Sequence, residues 1–395
     1  MSTVRQLIKD NLWLIPLFLF SIISLLGEVI NDKFDLVDFE VYFRTAARML
    51  EGAEIYRIES DGHFVYKYAP TAALYFLPFV ILGFGLAKYV FWILVTLALA
   101  WGLHTLIGFL KKGESNRQVN FIIIGSILAV VPHIHLEWHL GQVNLLLMVL
   151  YIALIKYSKK NQQHWLGILL GGSLFVKPFG LVFLPYLVVK KQFKALFYMI
   201  GAVLILGLLP LLLYPSWGEL VGLYNSWMVE LQIELAAKQD LVADANHTIF
   251  SVLARYTPIQ YLITNPTAQK LYQLTILGLI GISFLLYMAW GKKVPQAFVG
   301  ELALLSAWIP LLAFTSQNAF IYTLPLIVVV LFQYKQLPLW GKILAVIGCF
   351  LLGINMHDIV GKTMHWALLQ ASIYTFGSMA LIVVVFYQRK QASSS

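Results

Sequence analysis

Two carboxylates three residues apart, Asp35 and Asp38, follow directly on an apolar run that ends near Ile30. A carboxylate at the edge of a membrane can act as a general base, taking the proton from a hydroxyl as its oxygen attacks. Asp38 also opens a stretch with helical spacing, through Val41, Phe43, Ala46, Ala47 and Leu50, that Gly52 ends. Its other reading is therefore a helix N-cap that accepts bonds from free backbone N–H groups. The two roles are compatible. Asp38 is the first candidate base and Asp35 the second. Both lie in residues 31–70, an island holding eight of the 19 acidic residues between apolar stretches.

Other residues carry chemistry of their own. Lys177 stands just before Pro178 in an apolar stretch over 165–189. A cation there is costly in hydrocarbon, and a break between two half-helices lets its ammonium reach an anionic phosphate. The alternative is a side chain that snorkels to the surface. The segment VPHIHLEWHLGQVN, 131–144, gathers His133, His135, Glu137, Trp138, His139, Gln142 and Asn144. His135 and His139 would share a helical face, yet the pattern is not HExxH and no further ligand set is evident. Hydrogen bonding to sugar hydroxyls or phosphate suits His and Gln better than a metal, and interfacial anchoring is the plain alternative. Asp240, Asp244 and the run NHTIFSVLARY from Asn246 bring His247 and Arg255, whose guanidinium can grip phosphate in a fork. Asn246-His247-Thr248 is also a glycosylation sequon, and the whole loop can equally be an ordinary solvated one. The SQN run at 316–318 is a weaker polar cluster.

Positioning these groups takes a membrane. The chain has 395 residues, 60% hydrophobic and only 12% charged, with a mean hydropathy of +0.78. Soluble domains carry about 25% charged residues, so the sequence reads as an all-α polytopic membrane protein. The first apolar run, about 12–30, reads as a retained span, and the single Cys349 excludes disulfides and cysteine metal sites. Arg5 and Lys9 before that run place the N-terminus inside. Residues 70–84 are short and carry Pro78, so they read as an outer half-helix rather than a crossing. Further spans follow near 88–110, 119–132, 143–156 and 195–214, with two short helices broken at 177–178. A long outer loop runs over 215–269, and five spans begin near 270, 298, 318, 340 and 366, the last ending before Gln388. This gives about twelve crossings, some short, with both ends cytoplasmic. It places 17 of the 28 Lys and Arg inside, opposed there by Asp10 and Glu114 alone. The net charge of +9 thus serves orientation, not nucleic-acid binding. The chain reads as one membrane domain: a catalytic module over 1–214 with its outer loop at 31–87, the loop 215–269, and C-terminal helices over 270–395.

The runs DFEVYFRTAARMLEGAEIY, FVYKYAPTAALYFLP, GQVNLLLMVLYIAL, GILLGGSLFVKPFGLVFLP and NHTIFSVLARY, in this order, resemble family 87 of the glycosyltransferases. The resemblance covers residues 1 to about 335. Two positions depart from the family pattern: residues 66–70 read YKYAP where YPP is common, and His247 stands where Gln or Ser is frequent. The resemblance implies a GT-C fold with a re-entrant first outer loop, and a catalytic aspartate that matches Asp38. It implies inverting transfer of a sugar, typically mannose, from a polyprenyl-phosphate donor to a lipid or glycan acceptor hydroxyl on the extracytoplasmic face of a bacterial plasma membrane. On that scheme Lys177, Arg255 and His247 bind the donor phosphate. Tyr42, Tyr66, Tyr68, His135, His139, Gln142, Asn144 and Asn246 contact sugar or acceptor, and neither metal nor cofactor is required. A lipid or glycolipid flippase is the rival class. Such proteins often show paired broken helices, and only one broken pair is visible in this sequence.

Overall fold

The computed structural model describes residues 10–62, 64–159, 162–237, 240–243, 246–291, 294 and 296–394. Arg5, Lys9 and Asp244 lie outside the described residues. All regular structure among the described residues is helical. In chain order the helices begin with α1 (Leu14–Ile30), α2 (Val37–Leu50), α3 (Pro70–Leu74), α4 (Leu77–Val80), α5 (Gly83–Leu110), α6 (Asn116–Leu128) and α7 (Val131–Leu140). There follow α8 (Asn144–Lys159), α9 (Gln163–Leu174), α10 (Leu184–Val189), α11 (Phe193–Gly207), α12 (Trp217–Ala237) and α13 (Ile249–Tyr256). The last are α14 (Pro266–Trp290), α15 (Ala297–Leu312), α16 (Leu324–Phe332), α17 (Leu339–Gly353), α18 (His357–Val360), α19 (Lys362–Gln370) and α20 (Ile373–Ser394).

Three stretches among the described residues are long and apolar enough to cross a membrane: α5, Phe193–Leu212 and α14. The number becomes five if two bent pairs each count as one span, α6 with α7 at 60° and α19 with α20 at 54°. The other apolar helices have 10–17 residues. Residues 70–80 form only two short helices, each with proline in its first turn. Proline fits there because it has no N–H to donate. The apolar stretch at 165–189 does break at Lys177-Pro178, where a 3₁₀ segment, Pro178–Phe183, begins.

Three segments differ from the sequence reading. Residues 131–140, expected as a connection, continue as helix α7. The expected loop 215–269 contains α12, 21 residues long, and α13. The last helix runs past Gln388 to Ser394.

The described chain gathers into two compact units. The first comprises residues 20–101 and 135–239. Its centre is Phe39, fully buried, with its ring 4.4 Å from Phe91, 5.2 Å from Phe79 and 6.1 Å from Phe84. Helices α9 and α11 pack closely because Gly167 has no side chain; a Cβ there would lie 2.2 Å from the Ala195 carbonyl. Helix α12 is held by charge and hydrogen bonds to the loop before α3. Glu230 meets Arg57 and Glu234 meets Lys67, each at 2.8 Å, while Trp227 Nε1 donates to the Lys67 carbonyl at 3.3 Å. The second unit comprises the described residues of 10–19, 102–134 and 240–394. Its core is α15 with α16, both apolar apart from Glu301 and Ser306 and almost wholly buried, as helices with so little polar surface must be.

Candidate active site

The N-cap of α2 is Leu36, in a left-handed conformation with φ 48°, and no side chain caps the helix. This corrects the capping alternative for Asp38, which sits two residues past the cap. The carboxylate is turned elsewhere: Asp38 Oδ2 accepts a hydrogen bond from Gln142 Nε2. Asp35 is exposed on the loop before the helix.

Gln142 is presented by the turn between α7 and α8. Gly141 in that turn has φ +68°, a backbone conformation costly for any residue with a Cβ. A Cβ at Gly141 would also fall 2.6 Å from Phe39 Cβ and 2.9 Å from Leu36 Cβ. The start of α2 therefore rests directly on the turn that carries Gln142.

From Gln142 a polar chain runs inward. Lys177 Nζ donates to Asn144 Oδ1 at 2.7 Å and lies 3.4 Å from Gln142 Oε1. Asn144 Nδ2 donates to Glu137 Oε1 at 2.7 Å, and the Leu145 N–H donates to Glu137 Oε2 at 2.9 Å. Glu137 and Asn144 are both fully buried. Lys177 is placed by its proline: a residue before proline is pushed to extended backbone, and Lys177 has φ −146° and ψ 135°. Its ammonium stands 5.8 Å from the Tyr68 ring and 5.7 Å from Phe179. The Tyr68 hydroxyl shares a 2.9 Å hydrogen bond with Tyr42. The Ala69 N–H donates to the Phe175 carbonyl at 3.0 Å, so the 66–70 run is tied to the break that carries Lys177.

The electrostatics follow from burial. Desolvation pushes the Asp38 carboxyl above the usual carboxylate range, while the Gln142 hydrogen bond and the charges of Lys177 and Lys67 pull it back. Burial also raises Tyr42 and Tyr68, so both keep their hydroxyl protons.

The structure thus brings together Asp38, Tyr42, Tyr68, Gln142, Asn144 and Lys177. The remaining candidates go elsewhere. Tyr66 is buried and donates to the Ala69 carbonyl at 3.2 Å, closing its own turn. His139 Nδ1 lies 2.9 Å from Glu28 Oε2 and His135 Nε2 3.9 Å from Glu28 Oε1, whereas His133 packs edge-on against Tyr374 at 4.6 Å. Among the described residues no group of three or more His, Cys, Asp or Glu is placed to hold a metal ion.

Arg255, His247 and Asn246 cluster with one another in the second unit. Arg255 donates to the carbonyls of Gln370 at 2.8 Å and Asn246 at 3.1 Å, and to Ser372 Oγ. His247 Nδ1 is 3.1 Å from the same Ser372 Oγ. Burial and then the Arg255 charge lower His247 to about 4, so it is neutral at physiological pH. Asn246 Oδ1 accepts from Thr248 Oγ1 at 2.7 Å, and Thr248 caps α13.

Two participants escaped the sequence reading. Glu28 lies near the end of α1 and is almost buried; its one signal was a carboxylate closing an apolar span. Lys67 drew no notice beyond its place in the YKYAP departure, although its charge acts on Asp38.

The profile of glycosyltransferase family 87 matches residues 66–315, more than half of the chain. The chain belongs to glycosyltransferase family 87. Within this family 87 chain the match covers Tyr68, Gln142, Asn144 and Lys177, and it begins after Asp38. A search of curated proteins finds no match.

Proposed function

We propose that this glycosyltransferase, with a GT-C fold of about twelve crossings, moves a sugar, mannose by preference, from a polyprenyl-phosphate donor to an acceptor hydroxyl outside the cytoplasm. Asp38 takes the acceptor proton as the hydroxyl oxygen attacks the anomeric carbon. The bond from that carbon to the phosphate oxygen breaks, the electron pair leaves with polyprenyl phosphate, and the configuration inverts. Lys177 stabilises the charge that develops on the departing phosphate, the step for which a preorganised cation matters most. One observation carries this reading: Gln142 donates to Asp38 through Nε2 while its Oε1 faces Lys177 at 3.4 Å. Base and cation are set by the two ends of one amide. The raised Asp38 carboxyl is also a stronger base than an ordinary aspartate.

The experiment is transfer by Asp38→Asn in membranes supplied with polyprenyl-phosphate mannose. A large loss of turnover is expected. Activity near wild type would remove Asp38 and pass the role to Asp35. A Lys177→Ala variant with normal donor affinity and normal turnover would exclude the phosphate role.

A further inference from the structure

A cavity of about 300 Å³ lies within the second unit, and none of its lining residues takes part in the proposed chemistry. Helix ends surround it: Leu110 closes α5, Tyr287 lies in the last turn of α14, Ala297 opens α15 and Phe332 closes α16. In a bilayer the end of a spanning helix such as α5 or α14 meets the headgroup layer, the depth that a lipid headgroup occupies. Its walls combine apolar side chains with Arg389, Gln388, Gln296, Lys112 and Glu114.

Arg389 is 6% exposed, and its seat is built for it. The guanidinium lies 4.3 Å over the Tyr287 ring. Its Nη2 donates to Tyr287 OH at 3.1 Å and to the Ala297 carbonyl at 2.8 Å. A Cβ on Gly291 would fall 2.1 Å from Nη1 and one on Gly300 2.8 Å from Nη2. Glu301 Oε1 balances the charge from 3.8 Å, beyond hydrogen-bond reach of Nη1. Nη1 is buried with no protein hydrogen bond among the described residues. The same holds for Gln388 Oε1 and Gln296 Oε1, although Gln388 Nε2 donates to the Val330 carbonyl at 3.2 Å. Buried polar atoms are nearly always hydrogen-bonded. An Arg–Glu pair alone accounts for the guanidinium and leaves the two glutamine oxygens without a role.

The cavity therefore offers one cationic donor and two neutral acceptors inside, with Lys112 and Glu114 also lining it. A matching ligand carries an anion and a hydrogen-bond donor a few bonds apart. We propose that this cavity binds the phosphoethanolamine headgroup of a membrane phospholipid, phosphate toward Arg389 and Lys112, ammonium toward Glu114 and the two glutamine oxygens. The reading is independent of the transfer reaction. The apolar walls favour a lipid over a free phosphate, because they match the glycerol and upper chains.

The test is native mass spectrometry of the full, delipidated chain titrated with dioleoylphosphatidylethanolamine, dioleoylphosphatidylglycerol or inorganic phosphate. Wild type is expected to retain one phosphatidylethanolamine in preference to phosphatidylglycerol. Lys112 and Gln336 are exposed lining residues, so Lys112→Ala and Gln336→Trp leave the core untouched. Each should weaken retention about tenfold, the effect of one charge-assisted hydrogen bond or of a filled entrance. Gln388→Met, checked for an unchanged melting temperature, should do the same. Unchanged retention in all three variants overturns the proposal. So does equal retention of phosphatidylglycerol, or displacement of the lipid by inorganic phosphate.

Discussion

Two basic residues, Lys177 and Arg255, invite the same sequence argument, yet the fold spends them differently. Lys177 is held by side-chain amides, Asn144 and Gln142. Arg255 is held by two backbone carbonyls and a serine hydroxyl, and it fastens α13 to the α19–α20 turn. An amide side chain can rotate and find another partner when a substrate arrives. A backbone carbonyl cannot follow, and losing its donor leaves a polar group unmet. On the proposed scheme the contrast assigns Lys177 to the chemistry and Arg255 to the architecture.

The largest effect expected on the available side is at Asp38. Asp38→Asn should lower transfer about 10²–10⁴-fold, the range for loss of a positioned base, while Asp35→Asn stays near wild type. Lys177→Met should reduce turnover about 10²–10³-fold, as removal of one preorganised charge-stabilising donor does, with little change in melting temperature. Arg255→Met should behave in the opposite way: turnover kept, unfolding free energy lowered by about 1–3 kcal/mol from unsatisfied partners. Melting and turnover measured on both variants decide the matter, and an exchange of the two behaviours would end the comparison.

A smaller effect lies in the pH profile. As the proposed base Asp38 has to be ionised, so activity should fall as pH drops through its raised value. Lys177 and Lys67 both lower that value. Lys67→Gln should therefore move the acidic limb of the rate profile to higher pH, and residual activity of Lys177→Gln should move further. A shift toward lower pH would contradict the placement of these charges around Asp38.

Much of this arrangement was legible, because it rests on local rules. Apolar spacing closed by Gly52 marked α2, and a lysine before proline marked the break at 177–178. What stayed hidden depended on partners far along the chain. Helix α12 is masked in the sequence by Glu219, Glu230 and Glu234, which dilute its apolar spacing; Glu230 and Glu234 are bound by Arg57 and Lys67 from more than 150 residues away. Helix α7 was read as a connection because its histidines and glutamate resemble loop composition. Folding buries Glu137 under Asn144 and sets His139 on Glu28. The N-cap reading of Asp38 failed for the same reason. A distant amide took the carboxylate.

The contact of Gly141 with Phe39 and Leu36 has a consequence for how this enzyme can vary. No polar side-chain atom is involved, yet a single added methyl would press on the first turn of α2 and should carry Asp38 away from Gln142. Gly141→Ala should accordingly silence transfer while every ionisable and hydrogen-bonding side chain remains in the sequence. A residue with no side chain thus limits what the reaction tolerates, because the seat of α2 leaves no room for a Cβ at position 141.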